Sequence, residues 1–189
     1  MKLDISKKDI KDFNVDHLRN TSLNTRDWRT PGESPYQLYA YLSTFFNNTI
    51  IVDIGTGLGG SALAFSHNPT NRILSYDVFY QSADRIKKDN IEWRIDNILE
   101  DNSFDWDAVS IVCVDADSED GSIERTIIES LRDKNWSGIL IIDKIYKRYI
   151  HKVWEEIFFE KLDATDIGSK KGTGIVNFGT QKKHEISIV

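Results

Sequence analysis

The stretch TIIVDIGTGLGGSALAFS, Thr49 to Ser66, decides the fold. An apolar, β-branched run ends in Asp53, glycines follow at 55, 57, 59 and 60, and small and apolar residues then continue with helical character. A buried strand, a glycine turn and a helix start in that order form the ligand-binding unit of open α/β sheets, where ligands sit beyond the carboxyl ends of the strands. Gly55, Gly57 and Gly60 satisfy G-x-G-x-x-G, whereas Gly55, Gly57 and Gly59 satisfy G-x-G-x-G. The glycines alone do not choose between a dinucleotide and another adenosine-type ligand.

Working outward, similar runs recur as RILSYD, IEWRI, VSIVCVD and GILIID. Most are too continuously apolar for a sheet with one wet face, so they predict parallel strands covered on both sides. Helical spacing lies between and after them, at Ile123, Ile127 and Leu131 and again at Ile150, Val153, Trp154, Ile157 and Phe158. Ahead of the glycine loop, Ser34 as cap and Pro35 in the first turn predict a helix carrying Leu38, Tyr41, Leu42 and Phe45 on one face. Near the end, KLDATDIGSKKGTGIVNFG holds two strand-like runs with no room for a helix between them, which predicts an antiparallel hairpin. The expected fold is therefore α/β, a doubly wound, mostly parallel, seven-stranded Rossmann-like sheet ending in an antiparallel C-terminal hairpin.

Composition narrows the function classes. A chain of 189 residues with 40% hydrophobic content fills one core, so one domain (35–189) is expected behind an N-terminal extension (1–34). A formal charge of -6 without a long Lys/Arg run argues against nucleic acid as a partner. The lone Cys113 sits inside an apolar run and reads as core. With no apolar stretch of signal or membrane length, a soluble, cytoplasmic protein without a membrane partner is expected. Histidines 17, 67, 151 and 184 stand outside the motifs and read as structural.

Asp53 sets a negative charge beside the glycine loop, which suits a cationic amine or sulfonium better than a pyrophosphate. Asp77 closes the second strand, where a carboxylate can accept both hydroxyls of a ribose. Asp96 and Asn97, after the third, can reach an adenine amino group or simply form a turn. VDIGTGLGGSALAFS, ILSYD and VCVDAD, in this order and spacing, resemble class I methyltransferases that use S-adenosylmethionine, over roughly Tyr36 to Gly179. The resemblance implies that Asp53 holds the methionine amine and that Gly55, Thr56, Gly57 and Gly59 line the methionine and ribose. It further implies Ser61 by the carboxylate, Asp77 on the ribose, and Asp96 with Asn97 on the adenine side.

Asp115, with Asp117, and Asp143 fall at the ends of the fourth and fifth strands, an arrangement that resembles small-molecule O-methyltransferases holding Mg²⁺ there. Here Lys144 stands where those relatives carry an Asn or Asp, and a protonated lysine ligates no cation. Lys144 can replace the metal by pairing with Asp115 and Asp143, act as a base, or be a solvated side chain. Asp117, Glu119 and Asp120 read as a polar loop and helix start. Trp28, between Arg26 and Arg29, suits either a lid over a flat or anionic acceptor or a surface anchor. The reading that follows is methyl transfer to a small-molecule hydroxyl, with Asp115, Asp143 and Lys144 as the catalytic set. The alternatives are a cofactor-binding protein without transfer activity and an NAD-dependent oxidoreductase.

Overall fold

The run Ile50–Ile54 forms a strand whose alternate residues enter different hydrophobic layers, and its neighbours do the same. The computed structural model describes residues 2–79, 83–116, 118, 120–179 and 185–189. In chain order these form β1 (Lys2–Ile5), α1 (Lys7–Asp12), α2 (Asp16–Arg19), α3 (Tyr36–Ser43), β2 (Ile50–Ile54), α4 (Gly60–Phe65), β3 (Arg72–Asp77) and β4 (Ile91–Ile95). There follow β5 (Val109–Val114), α5 (Ser122–Asp133), β6 (Gly138–Asp143), α6 (Arg148–Glu155), β7 (Glu160–Asp163), β8 (Thr173–Phe178) and β9 (Glu185–Ile188).

Ile51, Ile73, Ile111, Ile139, Ile141 and Ile175 pack with α3 and α4, while Val52, Leu74, Val112, Leu140, Ile142 and Val176 pack with α5 and α6. Two apolar faces per strand are what a doubly covered sheet needs, and they explain the unbroken β-branched runs. The sheet runs β4-β3-β2-β5-β6-β8-β7. β2, β3, β4, β5 and β6 are parallel, and β8 is antiparallel to both β6 and β7. From β2 the chain moves outward to β3 and later returns to β5 on the other side, so the sheet's switch point lies between β2 and β5. The edge strand β4 is guarded by charge: Glu92 pairs with Arg72 and Arg94, and Arg94 also pairs with Asp101.

Some local readings change. Ser34 does not cap α3: its hydroxyl accepts from the Arg29 amide (3.1 Å) and lies 3.2 Å from the Arg29 carbonyl, so Pro35 takes the cap position. Ile123 is exposed and Ile128 is buried in its place, because the buried stripe of α5 runs through Ile127, Ile128 and Leu131. α6 ends at Glu155, leaving Phe158 exposed, whereas Ile150, Val153, Trp154 and Ile157 are buried.

The first 34 residues contribute Ile5, Ile10, Leu18 and Trp28 to the same hydrophobic layer as α3 and α4. Their β1 pairs in parallel with β9, forming a separate two-stranded sheet. The Gln37 side chain of α3 donates to the Phe13 carbonyl (2.9 Å). No helix among the described residues is long and apolar enough to cross a membrane.

Candidate functional site

Gly55 ends β2 where only a glycine fits. Its φ is +91°, and a Cβ there would sit 2.1 Å from the Asp115 carbonyl oxygen. The Asp115 amide donates to the Ile54 carbonyl (2.9 Å), so the ends of β2 and β5 are drawn together at the switch point. Gly57, at φ +50°, is different: a Cβ there meets nothing closer than the Gly55 carbonyl at 3.9 Å. Its amide donates to Asp77 Oδ2 (3.1 Å), and the Phe79 amide donates to Oδ1 (3.0 Å). Asp77 thus braces the loop while each oxygen keeps lone-pair capacity.

Asp53 lies beneath the loop, 1% exposed, and its Oδ2 accepts from Ser75 Oγ (2.7 Å). Since that bond uses the Ser75 proton, Thr56 is the donor in the 2.8 Å Thr56–Ser75 hydroxyl pair. Burial pushes the Asp53 carboxyl up to about 6, with Asp115 and Asp77 adding repulsion and hydrogen bonds from Ser75 and Ser61 opposing it. The sign for stability follows. A raised carboxyl binds its proton more tightly in the folded state, so this contribution is favourable at low pH and is lost as pH rises from about 4 to about 6. Asp53→Asn should therefore raise the melting temperature at pH 8 and leave it nearly unchanged at pH 4. Equal shifts at both pH values would mean that ionised Asp53 is not strained by burial.

A cavity of about 480 Å³ opens above this loop. Gly55, Thr56, Gly57, Ser61, Asp115, Asp143 and Lys144 line it, together with Trp28, Tyr36, Tyr39 and the turn at Ser169–Lys171. Of the sequence candidates, Asp53 and Gly59 support the loop from behind: Gly59 (φ +80°) precedes α4 and abuts Ile86 and Trp93. Asp96 is exposed, and Asn97 is engaged in a local turn, its Oδ1 accepting from the Leu99 amide (3.1 Å) and its Nδ2 donating to Glu100 (2.9 Å). Asp117, Glu119 and His184 lie outside the described residues. Asp120 accepts from the Ser122 amide at the start of α5 (2.9 Å).

At the far wall, Lys144 Nζ donates to Asp115 Oδ1 at 2.5 Å, across the ends of β5 and β6. Lys144 adopts φ +62°, a left-handed conformation that is disfavoured for a side-chain-bearing residue and that turns the chain sharply out of β6. Asp143 is nearly buried, and Thr173 Oγ1 donates to its Oδ1 (3.3 Å). Burial and the neighbouring Asp115 push its carboxyl up to about 7, partly offset by Lys144. Tyr36 is pushed well above the ordinary phenol range by burial and by Asp27, Asp115 and Asp143, so it stays protonated. Among the described residues, no group of three or more His, Cys, Asp and Glu is placed to hold a metal ion.

Tyr36, Tyr39, Thr173 and the 169–171 turn were not singled out as site residues from sequence. The usable signals were the Ser-Pro start that puts Tyr36 first on its helix and the paired lysines of GSKKGTG. Arg29 and Trp28, ahead of α3, do line the cavity, but Trp28 is buried, packs tilted against Tyr36 with ring centroids 4.8 Å apart and donates from Nε1 to Ser22 Oγ (2.9 Å).

The seven-stranded sheet with its antiparallel C-terminal strands has the Rossmann-like fold of the class I methyltransferases. The chain is similar to the SAH-bound Podospora anserina methyltransferase PaMTH1, at TM-score 0.57 and 14% identity over 76% of this chain and 77% of that one. It is also similar to a Staphylococcus aureus protein provisionally described as a caffeoyl-CoA O-methyltransferase, at TM-score 0.56 and 15% identity over 76% and 82%. A Clostridium thermocellum protein provisionally described as an rRNA methylase matches at TM-score 0.52 and 14% identity over 77% and 96%. No family model and no curated protein matches the sequence.

Proposed function

We propose that this protein binds S-adenosylmethionine and transfers its methyl group to a hydroxyl of a small molecule. The observation that carries the proposal is one cavity with two unlike walls. On one side is a loop with bare backbone at Gly57; on the other is a carboxylate–lysine–carboxylate set.

The residues fit the cofactor. Open space at Gly57 leaves room for a ligand against the backbone, and Asp77 retains acceptor capacity for two ribose hydroxyls. Val78, 63% exposed, and Ile95, 62% exposed, flank Asp77, with Ile95 its register partner, and offer apolar surface to a flat heteroaromatic ring. Asp96, exposed just after β4, borders that side while Asn97 holds the turn behind it, Asp53 supplies negative charge under the loop for an amine, and Ser61 stands in the first turn of α4 for the methionine carboxylate.

When bound, S-adenosylmethionine supplies a methyl group on a sulfonium, open to in-line attack. Asp143, with its carboxyl near 7, accepts the proton of the acceptor hydroxyl. Lys144, held by Asp115, keeps a positive charge beside the oxygen as it becomes more anionic. The 1–34 segment, through Trp28 and Arg29, walls the acceptor side as a lid.

Calorimetry with S-adenosylhomocysteine and NAD tests the cofactor, and tritium transfer from labelled S-adenosylmethionine to a panel of phenols, sugars and hydroxy acids tests the reaction. Binding of S-adenosylhomocysteine with a Kd at least about 100-fold below that of NAD is expected. Tighter binding of NAD would overturn the assignment in favour of a nicotinamide-dependent reaction.

A further inference from the structure

Three cations line the cavity without a carboxylate partner. Arg29, Lys170 and Lys171 form part of its wall, and none has an acidic oxygen within 4.0 Å among the described residues. Elsewhere in the chain, Lys7 pairs with Asp166, Arg72 with Glu92 and Arg125 with Glu156. Of the four acids lining the same cavity, Glu33 has no cation within 4.0 Å among the described residues, and the other three are engaged. Asp115 is bonded to Lys144, Asp143 to Thr173, and Asp27 accepts from Asn24 Nδ2 (2.6 Å).

The backbone carrying these cations is fixed before any ligand arrives. In the lysine turn, the Gly172 amide donates to the Ser169 carbonyl (2.8 Å), and the Tyr146 amide donates to the Lys171 carbonyl (3.1 Å). The Ser169 amide donates to Thr173 Oγ1 (2.9 Å), the hydroxyl that bonds Asp143, so the turn is joined to the reacting end of the cavity. On the Arg29 side, the Gly32 amide donates to the Gly168 carbonyl (2.9 Å), and Arg29 Nε donates to the Arg26 carbonyl (3.3 Å). Two segments far apart in sequence are thereby tied together with their positive side chains bordering one space. All three side chains are exposed, but the fixed backbone keeps them attached beside the cavity, which lowers the ordering cost of gathering them on one anion.

We propose that Arg29, Lys170 and Lys171 bind a carboxylate or phosphate of the acceptor while its hydroxyl reaches Asp143, so that the substrate is a small hydroxylated anion. This rests on reading the cavity as a methyltransferase site. A small anion is favoured over RNA because three cations on a chain of net charge -6 provide no track along a phosphate backbone.

The test is calorimetry on the full chain, with and without saturating S-adenosylhomocysteine, titrating phenol, 4-hydroxybenzoate, 4-hydroxyphenyl phosphate and a decaribonucleotide. At least one of the two anions should bind about ten-fold or more tighter than phenol, and the better of them identifies the group as carboxylate or phosphate. The K170E/K171E variant, and separately R29E, should bring that ratio to about one while S-adenosylhomocysteine affinity stays within about two-fold. Thermal melts confirm that each variant is folded. Equal binding of phenol and both anions, or an anion preference that survives both variants, overturns the inference. A decaribonucleotide that binds tighter than either small anion and is lost in the same variants overturns the small-molecule class. If S-adenosylhomocysteine does not bind but the anion preference holds, the anion site stands and the methyltransferase reading falls; if it binds without an anion preference, only this inference falls.

Discussion

Gly55→Ala should lose the native fold, while Gly57→Val, two residues away, should fold and fail to bind S-adenosylhomocysteine. At Gly55 the new methyl would meet backbone, the Asp115 carbonyl oxygen at 2.1 Å, and the φ of +91° excludes an ordinary side chain. Neither strand end can yield, because the Gly55 amide is bonded to the Tyr76 carbonyl and the Asp115 amide to the Ile54 carbonyl. Overpacking and a left-handed backbone each cost about 1–3 kcal/mol, a large part of what a domain this size has to lose. At Gly57 only the backbone term applies, about 1–2 kcal/mol for φ +50°, because the Cβ enters open space. That open space is where the ligand is proposed to lie, so the branched side chain should weaken binding by about 100-fold or more. Urea melts measure the first effect and calorimetry the second. Normal affinity in Gly57→Val would reduce the loop to a turn.

The contrast between those two glycines was not legible in the sequence, where both satisfy the same pattern. Periodicity sees which residues are small; only the approach of β5 to β2 tells which glycine touches protein and which faces the cavity. Much of the fold was legible because the signal was redundant. Continuous Ile/Val runs exclude a half-wet sheet, and the short link between the last two runs leaves no room for a crossover helix, so they pair as the hairpin from Glu160 to Phe178. Helix ends were less legible, since Ser34 had a competing bond to Arg29 that no local pattern announces. The same limit hid Tyr36 and Lys170 from the site: each belongs to the cavity through tertiary placement, and neither sits in a motif. The sequence sets the Asp53 charge beside the loop but not the depth of its carboxylate, which lies under the loop, because strand alternation settles which layer a side chain enters and not how deep the loop sits above it.

Asp143 and Lys144 are expected to separate by pH profile. Asp143→Asn removes the proton acceptor and should lower kcat by about 10²–10⁴-fold, the usual range for a general base. In the wild type, transfer should rise as pH passes through about 7, because the ionised carboxylate is the active form and its pKa lies there. Lys144 opposes that upward shift by its positive charge, so Lys144→Asn should move the rising limb to higher pH without abolishing transfer at pH 9. Asparagine is the informative replacement because it tolerates the left-handed backbone at φ +62° better than other side-chain-bearing residues, which keeps the fold cost small. The same change exposes Asp115, now bonded to the ammonium at 2.5 Å, and adds an amide oxygen next to Asp143. Oxygen ligands then replace a positive charge, so Mg²⁺ affinity should rise in the variant, while wild-type transfer should be unaffected by EDTA. A wild-type enzyme silenced by EDTA would show that a cation displaces Lys144 from Asp115 in the working state. An unshifted pH profile in Lys144→Asn would instead remove Asp143 as the titrating base and, because the lysine is absent from that variant, leave the proton transfer to solvent.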